Sequence, residues 1–302
     1  MLVLLSGGTG GVKLLSGLKE VYQEEKLAVI VNTADDKWLP HGYFSPDIDS
    51  VLYALAGLID EDRWYGLKGD TYNTHEMLRI LGYDEFLNIG DKDRAIHIYR
   101  GEMLKEMKLC GIVERLRKVF KIKVKVFPMS NDKVTTMILT PRGMMDIQEF
   151  LVKNRAELEV LDVYFDGIEK ARACSHALDS IKKADGIIIG PSNPITSILP
   201  ILSIKEIGRE IKRKMDKCVA VSPLIRGKAV SGPAEKFLRA KGYTPTIESL
   251  IEIYGGYISK LVVDEKEEVE TREIEIYKTK ILMKTQRDRE TLAKFLLELL
   301  GV

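Results

Sequence analysis

Residues 2–13 constrain the fold more than any other stretch, because an uninterrupted apolar run meets a cluster of glycines there. The run Leu2–Leu5 has no polar position, as expected of a strand that is buried on both faces of a parallel sheet. The apolar spacing of Val12–Tyr22 predicts an amphipathic helix. Between the strand and the helix, four of five consecutive positions are glycine, namely Gly7, Gly8, Gly10 and Gly11.

This strand, turn and helix predict a phosphate site, since free N–H groups and the helix dipole both attract anions. The predicted binding residues are Gly7, Gly8, Thr9, Gly10, Gly11 and Lys13. The glycine spacing is neither that of a P-loop nor that of the dinucleotide pattern, which requires a third glycine at the position of Lys13. The alternative is a tight strand-to-helix turn that binds nothing.

The rest of the chain alternates short apolar runs with helical spacing, which predicts an α/β fold. We expect a Rossmann-like, doubly wound and mostly parallel sheet with helical and small α+β insertions. Further strands are predicted at 28–34, 123–129, 134–140, 186–190, 218–222 and 260–264, strand character at about 150–165, and an edge strand at 274–283. The chain is predicted to form a single unit, 1–302, with a nucleotide-binding core at about 1–47 and 180–302 and an insertion region at about 48–179.

Composition narrows the classes of function. A net charge of +1 argues against a nucleic-acid or membrane-surface binder. The three cysteines lie far apart in the sequence and suggest neither a disulfide framework nor a zinc site. Met1 leads directly into a core strand without a signal sequence, so a cytoplasmic location is expected.

Polar side chains follow several predicted strands, and ligands of open α/β sheets sit beyond the carboxyl ends of strands. Asn32, Ser192 and Asn193 are therefore predicted nucleotide-binding residues. Four carboxylates also fall close together, and such oxygen ligands beside a phosphate loop are typical of Mg²⁺ bound with a diphosphate. The predicted metal ligands are Asp35, Asp36, Asp47 and Asp49, although Asp47 could instead cap a helix. No nucleophile pattern stands out, which favours direct displacement at phosphorus.

Several short motifs occur in one order along residues 1 to about 235, and together they resemble those of the CofD family of 2-phospho-L-lactate transferases. The motifs are Ser6–Lys13, Asn32–Asp36, Ser45–Asp49, Gly69–Thr71, Gly90–Asp93 with His97 and Arg100, Met129–Asp132, Gly190–Pro194 and Ser222–Lys228. The resemblance implies a Mg²⁺-dependent enzyme of coenzyme F(420) biosynthesis. Its small-molecule partners would be a lactyl (or enolpyruvyl) diphosphoguanosine donor and the deazaflavin Fo, and its products F(420)-0 (or the dehydro form) and GMP.

The resemblance also implies site roles and a homodimer. Asp49 and Lys92 match family positions that contact Fo, and Asp49 is the candidate to orient or deprotonate the attacking hydroxyl. The family often has Arg where this chain has Lys92 and Gly where it has Ala34, and a lysine lacks the bidentate fork of arginine. Two alternatives remain open: a YvcK-like regulator that binds a nucleotide sugar, and a dinucleotide oxidoreductase.

Overall fold

The computed structural model describes all 302 residues, and its centre is a seven-stranded, entirely parallel sheet. The strands of this sheet are β1 (Leu2–Ser6), β2 (Leu27–Val31), β3 (Lys125–Pro128), β4 (Gly186–Ile189), β5 (Cys218–Val221), β6 (Lys260–Asp264) and β7 (Glu275–Thr279). Their spatial order is β3-β2-β1-β4-β5-β6-β7. The chain therefore winds outward from β1 in both directions, which is the doubly wound order predicted from the sequence.

Strand β1 lies at the centre of the sheet, and every residue in it is fully buried. Leu2 pairs with Leu27 on one side and with Gly186 on the other. The side chains of β1 alternate between the two faces, so Val3 and Leu5 belong to one hydrophobic core and Leu2 and Leu4 to the other. The order of strands reverses between β1 and β4, and this switch point opens the crevice in which such folds bind ligands.

Helices cover both faces of the sheet. They are α1 (Gly8–Val21), α2 (Pro46–Leu55), α3 (Asn73–Ile80), α4 (Asp91–Met103), α5 (Leu109–Val119), α6 (Ser175–Lys182), α7 (Leu199–Ser203), α8 (Lys205–Arg213), α9 (Ala234–Ala240), α10 (Ile247–Tyr254) and α11 (Gln286–Leu300). Helix α11 closes the fold by packing along α1, where Gly17 lets the backbone at Arg289 approach closely. None of the helices combines the length and the apolar character that crossing a bilayer demands.

Two insertions interrupt the core. The first follows β2 and holds α2–α5 and a small hairpin, Lys37–Leu39 with Gly42–Phe44. The second follows β3 and holds a three-stranded antiparallel sheet made of Gly143–Asp146, Thr135–Thr140 and Asp162–Asp166. A second small hairpin, Leu224–Ile225 with Lys228–Ala229, follows β5.

The α/β prediction is confirmed, and two details of it change. The range 48–179 was predicted as one insertion, but β3 lies inside it and forms an edge of the main sheet. An alternating segment fits an edge strand of the main parallel sheet and a strand of a small antiparallel sheet equally well. The sequence alone therefore does not show to which sheet β3 belongs. The stretch 150–165 is only partly strand, because Glu149–Lys153 forms a π-helical turn before Asp162–Asp166.

Candidate active site

The glycine turn joins β1 to α1 and packs against the loop that follows β4. A Cβ atom at Gly10 would lie 2.0 Å from the Pro191 carbonyl oxygen, and one at Gly11 would lie 2.2 Å from the Ser6 hydroxyl oxygen. Gly8 has a φ of +63°, in the left-handed region that favours glycine. These glycines therefore bring the two central loops together at the switch point.

A carboxylate lies at the N-terminus of α1. The Gly8 amide donates to Asp47 Oδ1 at 2.7 Å, and Asn32 Nδ2 donates to Asp47 Oδ2 at 3.1 Å. Burial raises the pKa of Asp47 to about 6, although the bonds from Gly8 and Asn32 act in the opposite direction. Asn32 thus contacts the predicted phosphate loop through Asp47.

A second carboxylate, that of Asp35, lies close enough to Asp47 for their charges to interact. Burial, and next the charge of Asp47, hold the pKa of Asp35 well above its ordinary value. Its Oδ1 atom is enclosed and has no hydrogen-bond partner. Two neighbouring carboxylates repel each other when both are ionised, and a divalent cation bound to both removes that repulsion. The residues present fit a Mg²⁺ site formed by Asp35 and Asp47.

Asp36 is close to groups of both clusters, since the charges of Arg100, Asp47 and Asp49 all act on its pKa. Its Oδ2 atom accepts a hydrogen bond of 2.7 Å from the Ser45 hydroxyl, while Oδ1 is buried without a partner. Burial raises the pKa of Asp36 well above its usual range, and the nearby Arg100 guanidinium acts against that shift. Asp36 therefore keeps one carboxylate oxygen without a partner within the chain.

Asp49 belongs to a different cluster, on the side of α2 that faces α4. Both of its oxygens are bound by the guanidinium of Arg100, with Arg100 Nη1 donating to Oδ2 at 3.0 Å. The same Nη1 atom donates to the Tyr43 carbonyl at 2.9 Å. Burial acts to raise the pKa of Asp49, but Arg100 and His97 outweigh it, and the pKa is lowered. A carboxylate held ionised in this way is a weak base.

His97 completes that cluster. Its Nε2 atom lies 3.3 Å from Asp49 Oδ2 and 3.2 Å from Asp93 Oδ1, and Asp93 also accepts a hydrogen bond of 2.6 Å from the Tyr53 hydroxyl. Burial acts to lower the pKa of His97, yet the two carboxylates raise it to about 9. Asp49, Asp93 and His97 bring their ligand atoms within 4.8 Å of one another. Since His97 is already a cation at neutral pH, this cluster does not need a metal.

Lys92 lies in the first turn of α4 and its side chain is exposed. The turn is held by Asp70, whose carboxylate accepts from the amides of Lys92 and Asp93 at 3.0 Å each. A Cβ atom at Gly90 would lie 2.2 Å from Asp70 Oδ2. The Gly69–Thr71 motif thus supplies the carboxylate that binds the first amides of α4, and the Gly90–Asp93 motif forms the start of that helix. The Lys92 ammonium has no partner within the chain.

The remaining predicted phosphate ligands lie in three places. Lys13 Nζ lies 5.5 Å from the centre of the Trp64 ring, and burial, then Arg289, lowers its pKa. The Lys13 ammonium therefore lies over Trp64 and near Arg289 of α11, and not at the glycine turn. Ser192 Oγ accepts from the Gly7 amide at 3.4 Å, and Asn193 Oδ1 caps the turn Pro194–Ile198. Thr9 Oγ1 donates to Ser231 Oγ at 3.3 Å, which links the turn to the loop after β5.

Comparison with known proteins decides the family. The family model described as 2-phospho-L-lactate transferase CofD matches residues 2–301, beyond the limit of about residue 235 set by the motifs. The chain belongs to the CofD family. A 2-phospho-L-lactate transferase of Methanocaldococcus jannaschii is 46% identical, covering 100% of this chain and 98% of the relative. That of Methanopyrus kandleri is 43% identical, covering 99% and 97%.

A solved structure shows the same fold at lower sequence similarity. A member of the UPF0052 family from Bacillus halodurans superposes on this CofD chain with a TM-score of 0.63, 18% identity and 98% coverage of both chains. The likeness concerns the fold alone. Membership of the CofD family leaves the dinucleotide oxidoreductase interpretation without support, and the missing third glycine agrees with that.

The CofD chain also uses residues that sequence reasoning did not assign to the site. Arg100 binds Asp49, the predicted Fo residue, and Asp93 lies 3.2 Å from His97, which adjoins Asp49. The spacing of Asp93, His97 and Arg100 at i, i+4 and i+7 places them on one helical face, a signal that the sequence contains. Thr136 of the second insertion lies beside Asp35, because its amide donates to the Ala34 carbonyl at 2.7 Å, and no local pattern points to it.

Proposed function

We propose that this protein transfers the 2-phospho-L-lactate group, or its enolpyruvyl counterpart, from a diphosphoguanosine donor to the deazaflavin Fo, releasing GMP. The observation that carries the proposal is the full-length similarity to 2-phospho-L-lactate transferases, at 46% identity with nothing of this chain left uncovered. The site supports it because two polar clusters of different character flank α2.

The cluster beside the glycine turn suits the donor. The turn ends at the N-terminus of α1, where the helix dipole favours a diphosphate. The Asp47 carboxylate already accepts a hydrogen bond from one amide of that turn. A diphosphate bound beside it would be repelled by Asp47 unless a cation lay between the two. Asp35 and Asp47, with Asp36 adjoining, would hold Mg²⁺ there. Bound in that place, Mg²⁺ supplies charge that neutralises the diphosphate oxygens and the departing GMP.

The cluster on α4 suits the acceptor. Asp49 is ionised and fixed in position by Arg100, and Lys92 presents an unpaired ammonium at the start of the same helix. Trp38 is 56% exposed and lies on the hairpin that packs against α4, so it offers an aromatic face to a planar ring. We propose that Asp49 and Lys92 bind the polar groups of Fo, with Asp49 orienting the ribityl hydroxyl.

The chemistry is a single displacement. The ribityl hydroxyl oxygen forms a bond to the phosphorus next to the lactyl group, and the bond from that phosphorus to the bridging oxygen breaks. GMP leaves with the electron pair, and the hydroxyl proton passes to solvent or to a carboxylate. Most of the acceleration then comes from positioning and charge stabilisation.

A turnover assay tests the proposal. The purified protein is mixed with Fo, Mg²⁺ and either the lactyl or the enolpyruvyl donor, and products are separated by mass. We expect GMP and F(420)-0, or the dehydro form, in equal amounts. No product with either donor would contradict the proposal, and a thermal shift with UDP-sugars but not with GDP would favour the YvcK-like alternative. The homodimer and the cytoplasmic location stay predictions.

A further inference from the structure

Two cysteines that are distant in the sequence meet in the structure. Cys110 and Cys174 are 64 residues apart, yet their Sγ atoms lie 2.8 Å apart. The sequence alone suggested no pairing of cysteines, because their spacing matches no known motif. The third cysteine, Cys218, is fully buried in β5 and contacts neither of them.

One turn of the chain holds both cysteine backbones. The Cys174 amide donates to the Met129 carbonyl at 3.0 Å, and the Cys110 amide donates to Asn131 Oδ1 at 2.9 Å. These contacts involve the Met129–Asp132 motif, which the proposed transfer reaction does not use. The approach of the two sulfurs is therefore built into the fold on both sides rather than produced by one free side chain.

The surroundings make one thiol reactive and leave the pair accessible at its rim. The hydrogen bond from Cys110, and secondarily the first amides of α6, lower the pKa of Cys174 to about 6, while the same contact raises the pKa of Cys110. His176 Nδ1 lies 3.6 Å from Cys110 Sγ, and His176 is exposed. Cys110 is 9% exposed and Cys174 is 1% exposed, so only a small oxidant reaches them.

We propose that Cys110 and Cys174 form a redox-active thiol pair that a small hydroperoxide converts into an intramolecular disulfide. The Cys174 thiolate attacks one oxygen of hydrogen peroxide, the O–O bond breaks, and hydroxide leaves and is protonated to water. Cys174 is then a sulfenic acid. The Cys110 sulfur attacks the Cys174 sulfur, and the sulfenic oxygen leaves as water with the Cys110 proton. The two sulfurs lose two electrons, and the peroxide is reduced to two waters.

A soft metal is the competing use of these side chains, and the geometry disfavours it. Cys110, Cys174 and His176 could each offer one ligand atom. Two thiolates about 2.3 Å from a tetrahedral zinc ion stand roughly 3.7 Å apart. The two sulfurs lie 2.8 Å apart. This distance is nearer to the roughly 2.05 Å of a disulfide bond than to the separation of two thiolates on one zinc ion.

The cross-link would join the start of α5 to the loop before α6 and enclose β3 and the small antiparallel sheet. A disulfide that closes a long loop restricts the unfolded chain, so oxidation should raise thermal stability. We expect the melting temperature to rise by about 5 °C.

The experiment uses the full chain, fully reduced and freed of metal by a chelator. It is treated with a slight excess of hydrogen peroxide and then denatured for thiol titration and non-reducing peptide mapping. We expect the three free thiols of the reduced chain to fall to one. The mapped cross-link should join Cys110 to Cys174 and be reversed by dithiothreitol, and the intact mass should fall by two hydrogen atoms.

Matched variants identify the partners. Cys218→Ser should form the same cross-link, because Cys218 lies outside the pair. Cys110→Ser should instead accumulate oxygen adducts on Cys174, since no second thiol can displace the sulfenic oxygen. Three thiols surviving in the wild type, oxygen adducts without a cross-link, or one equivalent of added Zn²⁺ retained by the reduced chain would each overturn the proposal.

Discussion

Asp47 and Asp49 stand two residues apart on α2, and their carboxylates serve opposite sides of that helix. Asp47 accepts from the Gly8 amide at the start of α1, and Asp49 is bound at both oxygens by Arg100 of α4. Successive helical residues are turned by about 100°, so positions i and i+2 point away from each other. The Ser45–Asp49 motif thereby supplies one acid to each of the two clusters.

The two acids should respond differently to the same substitution. Asp47→Asn removes a buried charge whose ionisation is unfavourable, so we expect near-wild-type stability but a large loss of Mg²⁺-dependent turnover. Asp49→Asn breaks a buried ion pair and leaves Arg100 uncompensated, which should lower the free energy of unfolding by about 3 kcal/mol. Urea denaturation and turnover measured on both variants check this. Equal destabilisation of the two would show that Asp47 also has a mainly structural role.

Mg²⁺ should stabilise the protein more as pH rises through 6. The pKa of Asp47 is raised from 3.8 to about 6, so its ionisation opposes folding, and this cost is fully present only above pH 6. A cation bound to Asp35 and Asp47 offsets that cost. The melting temperature with and without Mg²⁺, measured from pH 4.5 to 8, should therefore diverge with rising pH. A difference that is independent of pH, or unchanged in Asp47→Asn, would contradict the metal assignment.

His97 should make stability fall at alkaline pH. Its folded pKa of about 9 lies above the ordinary 6.5, so its stabilising effect is complete below pH 6.5 and is lost as pH rises through 9. His97→Gln, which cannot be charged, should be less stable at pH 6 and flatten the stability profile between pH 6.5 and 9. Urea denaturation at several pH values checks this, and His75→Gln, another histidine beside a carboxylate, is the control.

Two glycines of the turn should tolerate alanine differently. In Gly10→Ala the new Cβ would lie 2.0 Å from the Pro191 carbonyl oxygen, so the two central loops must separate. We expect a loss of about 1–3 kcal/mol in stability together with loss of GDP binding. In Gly8→Ala the nearest atom is 3.8 Å away, and only the left-handed backbone is strained, by about 1–2 kcal/mol. Calorimetry with GDP and thermal unfolding separate the two effects; intact GDP binding in Gly10→Ala would mean that the turn does not hold the donor.

Lys92→Ala should raise the KM for Fo and leave GDP affinity nearly unchanged, because its ammonium lies at the start of α4 and not at the glycine turn. Lys92→Arg restores the cation and adds a bidentate fork, so it should recover the wild-type KM or improve it. Lys105→Ala, near the other end of α4, is the matched control. Steady-state kinetics with Fo and calorimetry with GDP provide the measurements. Equal loss at both ligands would withdraw Lys92 from the acceptor site.

Local pattern was enough for much of the fold. The apolar run Leu2–Leu5 predicted a buried central strand, because a strand covered on both faces cannot carry polar side chains. The glycine cluster after it predicted the turn at the switch point, and the ordered motifs indicated the family. The carboxylates at 35–49 were also recognised as a group, since their proximity along the chain already limits how far apart they can lie.

What the carboxylates bind was decided by the tertiary structure. Helical spacing predicts that Asp47 and Asp49 point in different directions. It does not predict that Asp47 contacts Gly8 and that Asp49 contacts Arg100. For the same reason Lys13 was predicted at the phosphate, whereas its ammonium lies over Trp64. Cys110 and Cys174 are the extreme case, because a contact across 64 residues depends on how two insertions fold back onto the sheet. Periodicity determines which face of an element is buried; only the packing of distant elements determines what that face meets.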